Sequence, residues 1–276
     1  MRRHAQTVKL IEEMYDILRE HNPMTVRQVY YQLVSRQVCE NSVAAYKRVS
    51  NALVVARQEG LIPWEWIEDR LRRPRAVSMW RDLADFAETA SQAYRRDVWE
   101  TQPVYIEVWL EKDALSGVFE DMLSPYGVTL NVGRGYDGWS SLYHAAQRYL
   151  KCGRDVTILY FGDFDPSGED MVRSLRERLG FFGCSPQIIK CALTAEDVHR
   201  YNLPPDPTKA RDTRRKAFVE KYGDLTVELD ALPLEVLQER IRQEVEKRLD
   251  LNALQAVKEQ EERERELLLK LLSYKL

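Results

Sequence analysis

The spacing of apolar and polar positions divides the chain into two regimes. From about residue 8 to residue 60, apolar residues recur every three or four positions, the period of a helix that buries one face. VKLIEEMYDIL sets Val8, Ile11, Met14, Tyr15 and Leu18 at that spacing, and His21-Asn22-Pro23 ends it. In TVRQVYYQLV, Thr25 fits a helix N-cap and Gln28 completes a capping box, so a second helix is expected to about Arg36. A third is expected from Glu40-Asn41-Ser42 through AAYKRVSNALVVARQEG, stopping at Gly60. Three short helices joined by tight turns suit a helix-turn-helix or winged-helix unit, with LIPWEWIEDRLRR as a wing or docking strand. An amphipathic helical connector is expected to about Gln102.

Beyond it the period changes. VYIEVWL, GVTLNV and VTILYFG read as strands, each followed by a helical stretch. VTILYFG is a near-continuous apolar run, which marks a strand buried on both faces. PQIIKCALT reads as one more strand. Strand-helix alternation at this spacing predicts an α/β fold with a parallel sheet. YNLPPDPTKARDTRR is loop-like. VELDALPLEVLQERIRQEVEKRLDL returns to helix, and the charged amphipathic tail LNALQAVKEQEERERELLLKLLSYKL is expected to pack on the body.

The chain has 276 residues, 44% hydrophobic and 31% charged, enough for one large or two modest domains. No apolar run reaches membrane-span length, and the N-terminal stretch lacks the pattern of a signal peptide, so no membrane and a cytoplasmic location are expected. Cys39, Cys152, Cys184 and Cys191 are scattered without a CxxC pair, which argues against a zinc site or a disulfide framework. Net charge is −3, yet Lys and Arg outnumber Asp and Glu up to Arg75, and DRLRRPR concentrates the surplus. Local positive patches matter more than total charge for phosphate binding.

In open α/β sheets, ligands sit beyond the carboxyl ends of the strands. Glu111 follows VYIEVWL, and Asp163 and Asp165 follow VTILYFG. Two carboxylates aimed one way repel unless a cation joins them, and Mg²⁺ is the oxygen-seeking ion that suits them. Ser167 is expected to cap the next helix, with Asp170 three residues on. Gly133 to Gly138 satisfies GxGxxG, but Arg134 and Tyr136 are bulky for a loop that hugs pyrophosphate, and a tight turn near the acidic cleft is the expected role.

Glu111-Lys112-Asp113-Ala114 after a strand, then GRGY, then GDFDPSG, resembles a Toprim domain. Arg27-Gln28-Val29-Tyr30-Tyr31, lying ahead of it, resembles the tyrosine motif of the DNA topoisomerase VI A subunit family, with Gln28 in place of the usual acid. The resemblance covers roughly Met24 to Gly183 and is closest to compact stand-alone A-like proteins. It implies a winged-helix-like domain (1–75), a connector (76–102), a Toprim domain (103–200) and a C-terminal loop and helical region (201–276). It also implies Mg²⁺-dependent cleavage and rejoining of double-stranded DNA by a homodimer. Tyr31 would be the nucleophile, joined to a 5′ phosphate and working with the metal site of the other protomer. Arg27 would grip the phosphate. Glu111 would act as acid-base or as a metal ligand beside Asp163 and Asp165. Lys112, Arg134, Lys47 and Arg48 are the candidate DNA contacts. A separate ATPase subunit is implied if ATP is used. YNLPPDPTKARDTRR and VELDAL also look characteristic of the compact group, without an assignable chemistry. GRGYDGWSSLY departs from the larger relatives' pattern.

Two other readings compete: a metal-dependent nuclease that hydrolyses with water, and a non-catalytic DNA-binding protein. The two adjacent tyrosines sharpen the choice. Val26, Val29, Tyr30 and Leu33 share one helical stripe, so Tyr30 belongs to the core. Tyr31 lies about 100° further round, beside Arg27. The helix alone leaves open whether Tyr31 borders the core near Val34 or faces a site.

Overall fold

The computed structural model describes residues 5–68, 77–133, 138–206 and 212–273. Three helices come first: α1 (Ala5–His21), α2 (Val26–Ser35) and α3 (Val43–Gln58). The predicted punctuation holds. Thr25 caps α2 in a full capping box with Gln28, and the Ser42 hydroxyl accepts from the Ala45 amide at the start of α3. Ile11, Met14, Ile17, Leu18, Val29, Leu33, Val49 and Leu53 close a common core. No strand forms between Leu61 and Glu68. Trp64–Trp66 is a 3₁₀ turn, and the segment docks on Met24 through the Met24 amide to the Trp66 carbonyl and the Glu68 amide to the Met24 carbonyl. The basic stretch from Asp69 onward lies outside the described residues up to Ala76.

The connector contains α4 (Leu83–Ala93) and a 3₁₀ turn at Val98–Thr101. Next come β1 (Tyr105–Leu110), α5 (Ser116–Leu123), β2 (Thr129–Val132), α6 (Trp139–Cys152), β3 (Val156–Phe161), α7 (Pro166–Phe181) and β4 (Gln187–Ala192). Among the described residues the strands form one parallel sheet in the order β2-β1-β3-β4. The two-residue period of each strand sorts side chains between the sheet's faces. Ile106, Val108, Leu110, Leu159 and Phe161 pack with Phe119 of α5 on one face. Trp109, Ile158 and Tyr160 pack with Leu142 of α6 and Leu175 of α7 on the other.

The chain then adds α8 (Ala195–Arg200), α9 (Arg215–Tyr222), α10 (Leu234–Glu246) and α11 (Leu251–Ser273). Leu237, Ile241 and Val245 of α10 join the same core as α5, and Leu234 reaches the core of the first three helices. The tail does pack on the body. Tyr94 and Arg96 both bond Glu264 at 2.6 Å, and Leu254 and Val257 are buried.

One buried charge stands inside the sheet. Glu107 of β1 is fully buried, with Arg148 Nε at 2.7 Å, Asn131 Nδ2 at 2.6 Å and the Tyr149 hydroxyl at 2.7 Å. Removing one member of such a pair strands a desolvated charge. We expect Arg148→Ala to cost about 3 kcal/mol in urea denaturation. Arg173→Ala, which breaks only exposed pairs with Asp170 and Glu177, should shift the midpoint far less. Equal shifts would contradict a load carried by Glu107.

Candidate functional site

The sheet order sets the location. The chain goes from β1 outward to β2, then crosses back to β3 on the other side of β1, so the topological switch point lies between β1 and β3. Clefts in doubly wound sheets open there, at the carboxyl ends. Glu111 and Asp163 sit at those ends. Glu111 Oε2 accepts from the Asp163 amide and from the Tyr160 hydroxyl, both at 3.0 Å, so it ties the two strand ends together. A side chain at Gly168 would run into the Asp163 carbonyl, so that position requires glycine, and one at Gly162 would displace the ends of the Glu111 and Tyr160 side chains.

A late segment completes the cleft. Phe164 and Val227 exchange backbone hydrogen bonds of 2.9 Å in each direction, and the Leu229 amide donates to Asp163 Oδ1 at 2.8 Å. Residues 227–229 are thereby clamped on the loop after β3. The following 3₁₀ turn, Leu229–Ala231, rests against α2. Two acids missed by sequence reasoning, Glu228 and Asp230, are thus carried between the first helices and the sheet.

Four groups meet there. The Tyr31 hydroxyl donates a hydrogen bond to Glu228 Oε2. Arg27 Nη2 reaches the same oxygen at 2.6 Å, and Lys112 Nζ reaches it at 3.0 Å. Lys112 Nζ also lies 3.0 Å from Asp163 Oδ2, and Arg27 Nε lies 3.0 Å from Asp230 Oδ2. The Arg27 guanidinium stands 5.5 Å from the centre of the Tyr31 ring. Tyr30 has a different role. Its hydroxyl accepts from the Ser42 amide at 2.8 Å and donates to Asn41 Oδ1 at 2.9 Å, and it anchors the start of α3. Both tyrosines are buried, at 3% and 7% exposure, so Tyr31 borders the core and faces the site at once.

The charges perturb one another. Burial opposes ionisation of Glu228, but Lys112, the Tyr31 hydroxyl and Arg27 outweigh it and hold its pKa down to about 2. Burial, then the bond to Glu228, push the Tyr31 phenol well above its ordinary value, against the pull of Arg27. Burial raises Asp163 to about 7 despite Lys112, and burial also raises Asp230. Burial alone would lower Lys112, yet Asp163, Asp230 and Glu228 raise it. Asp230 Oδ1 is buried without a hydrogen-bond partner.

Other sequence expectations fare unevenly. Asp165, not Ser167, caps α7: its Oδ1 accepts from the Gly168 amide at 2.6 Å, because Pro166 takes the first helical position and leaves the cap to the residue before it, two positions ahead of Ser167. Ser167 instead accepts from Arg214 Nη2 at 2.8 Å. Lys112 is no surface lysine; it bridges two carboxylates. Lys47 and Arg48 lie on the exposed side of α3, with Arg48 at 3.3 Å from Glu40. Arg134, with Tyr136 and most of the GxGxxG stretch, lies outside the described residues. All four cysteines are free.

Magnesium was expected on Glu111, Asp163 and Asp165. Among the described residues no group of three or more Asp, Glu, His or Cys side chains is placed to hold a metal ion. Asp163 and Asp165 do line one pocket of about 120 Å³ with Asp206, Asp212 and Glu228, whereas Glu111 is not among its lining residues. Its lining sets these oxygen donors beside Pro166 and Val227, and a hard divalent ion is typically bound by one or two carboxylates plus phosphate and water. Of the three expected ligands, Asp163 and Asp165 share that pocket and Glu111 does not, and both Asp163 oxygens and Asp165 Oδ1 already accept from Leu229, Lys112 and Gly168. Among the described residues no helix is long and apolar enough to cross a membrane.

A scan against protein-family models finds no family that matches the chain, and a search of curated proteins finds no significant match.

The depressed Glu228 pKa has a signed consequence. Its pairing contributes stability that is present above the ordinary carboxylate pKa of about 4.5 and is lost as pH falls towards about 2. In urea denaturation, the gap between the native protein and Glu228→Gln should be constant above about pH 5.5 and close progressively below about pH 4.5. A gap unchanged from about pH 6 to about pH 3 would contradict an ionised, paired Glu228.

Proposed function

We propose that the protein cleaves and rejoins double-stranded DNA by transesterification through Tyr31, as its motif resemblance to topoisomerase VI A subunits implies. One observation carries this reading. The hydroxyl of Tyr31 and the switch-point carboxylate Asp163 belong to a single bonded set, joined through Glu228 and Lys112. A tyrosine that merely bordered the core would need no such connection. On this reading, α1 to α3 form the winged-helix-like unit, and the sheet with its helices forms the Toprim domain.

The residues divide the work. Tyr31 Oη forms a bond to the phosphorus as the bond to the departing 3′ oxygen breaks. The phenolic proton is lost, and a proton reaches that oxygen. The phosphotyrosyl ester conserves the bond energy, so rejoining is the same exchange in reverse. Arg27 and Lys112 are the cations beside the phenol, positioned for a phosphate oxygen. Before DNA binds, Glu228 orients the phenol as a hydrogen-bond acceptor; its low pKa makes it too weak a base for the phenolic proton, which passes to water. Magnesium held by Asp163 and Asp165 would supply charge neutralisation at the phosphate. Glu111 keeps the two strand ends in register.

The wider partners follow from the same reading. Each chain carries one Tyr31, so cutting both strands takes two copies. The tyrosine and Asp163 are linked here within one chain, rather than across the two protomers as the resemblance implies. Lys47 and Arg48 on α3 offer phosphate contacts away from the cleft, and any ATPase would be a separate subunit.

The test incubates purified protein, Mg²⁺ and supercoiled DNA, then digests with protease and looks for DNA ends carrying covalent peptide. Tyr31→Phe should lose cleavage by more than about 10³-fold. Tyr30→Phe, whose lost bonds lie at the start of α3, should retain it. Cleavage that persists in Tyr31→Phe without a covalent adduct would sink the transesterase and assign hydrolysis by water.

A further inference from the structure

Three donors of different kinds converge on one oxygen. Glu228 Oε2 receives the Tyr31 hydroxyl, Arg27 Nη2 at 2.6 Å and Lys112 Nζ at 3.0 Å. A guanidinium, an ammonium and a hydroxyl around one anionic oxygen form a built oxyanion seat. Here the anion is the protein's own side chain. Arg27 and Lys112 are fastened from behind by Asp230 and Asp163, which fixes their direction whatever occupies the seat. Glu228 is 35% exposed at its side chain and lines the acidic pocket, so the seat opens to solvent on that side.

We propose that Glu228 is a stand-in for a phosphodiester. It fills an anion site made by Arg27, Lys112 and Tyr31, and a backbone phosphate replaces it there when DNA binds. The choice of ligand rests on the DNA-cleavage reading; the seat itself does not. The exchange removes one negative charge and adds one, so the two cations stay neutralised throughout. It also puts phosphate where the tyrosine hydroxyl already points. Glu228 is then a positioning residue that keeps the desolvated cations and the phenol aligned in the absence of DNA.

Titration calorimetry at neutral pH in EDTA, so that no divalent ion contributes, tests this with two probes: inorganic phosphate and dimethyl phosphate. Glu228→Ala should bind both at least about tenfold tighter than the native protein. Adding Lys112→Gln or Arg27→Gln to Glu228→Ala should remove the gain. Glu228→Gln keeps the side chain's volume and gives the same test should the alanine variant unfold. No gain in the folded variant overturns the proposal, as does a gain that survives loss of both cations. A gain for inorganic phosphate alone overturns the phosphodiester assignment. The readout needs no cleavage. An inert protein with the expected phosphate gain would sink the transesterase reading alone. Tyr31-dependent cleavage without the gain would sink this inference alone.

Discussion

The architecture turns on the ion-paired junction around Glu228. Arg27 and Tyr31 come from α2, Lys112 from the loop after β1, Asp163 from the loop after β3, and Glu228 and Asp230 from a segment more than sixty residues later. No two of these elements are adjacent in sequence. Among the described residues they meet at this small set of charges, set between the core of the first three helices and the core of the sheet. Docking of the helical unit and assembly of the candidate site are therefore one event. Apolar contacts such as Leu234 in the first core supply burial, while the charges supply direction.

Such a junction is expensive to build. Each charge loses hydration, and pairing in a low-dielectric setting returns that cost only when every member is satisfied. The opposing shifts at Glu228 and Asp163 record the strain of that balance: one carboxylate is held strongly ionised, its neighbour is pushed towards neutrality. An apolar junction of the same size would be simpler to stabilise. The sheet holds a contrasting case. Glu107 is fully buried, more so than Glu228, but its partners Arg148, Asn131 and Tyr149 leave its carboxylate satisfied, and it faces a packed core. That network fixes the fit of α6 on the sheet, whereas the junction at Glu228 borders an open pocket.

Much of the fold was legible because it rests on local rules. The capping box at Thr25, the stop at Pro23 and the two-residue period of the strands each act within a few residues, and each lay where the sequence placed it. The cap of α7 was misread by two residues because Asp165 was reserved for a metal, although Pro166 after it is the stronger local signal. Glu228 and Asp230 were invisible for another reason. Their E-x-D spacing repeats that of the D-x-D after β3, but they precede an apolar helix and read as its first turn. Long-range bonds, the antiparallel pairing of Phe164 with Val227 and the Leu229 amide on Asp163 among them, bring them to the cleft, and no periodicity encodes those contacts. Lys112 was ambiguous for the same reason, since its partners are distant in sequence.

Charge bookkeeping at the junction bears on how an acidic chain could meet DNA at all. The net charge of −3 gives no general attraction, and the pocket beside Tyr31 is lined by Asp163, Asp165, Asp206, Asp212 and Glu228. On the proposed reading, long-range steering would have to come from patches outside this acidic cleft. Inside the cleft the decisive quantity is the difference between two anions competing for the same cations. Both the carboxylate and a phosphodiester carry a single negative charge, so desolvation of Arg27 and Lys112 is common to both states and largely cancels. What remains is geometry and the energy of freeing Glu228 to water. A site arranged in this way rejects anions that cannot bring enough additional contacts to displace its own carboxylate; on the proposed reading, a duplex would bring them.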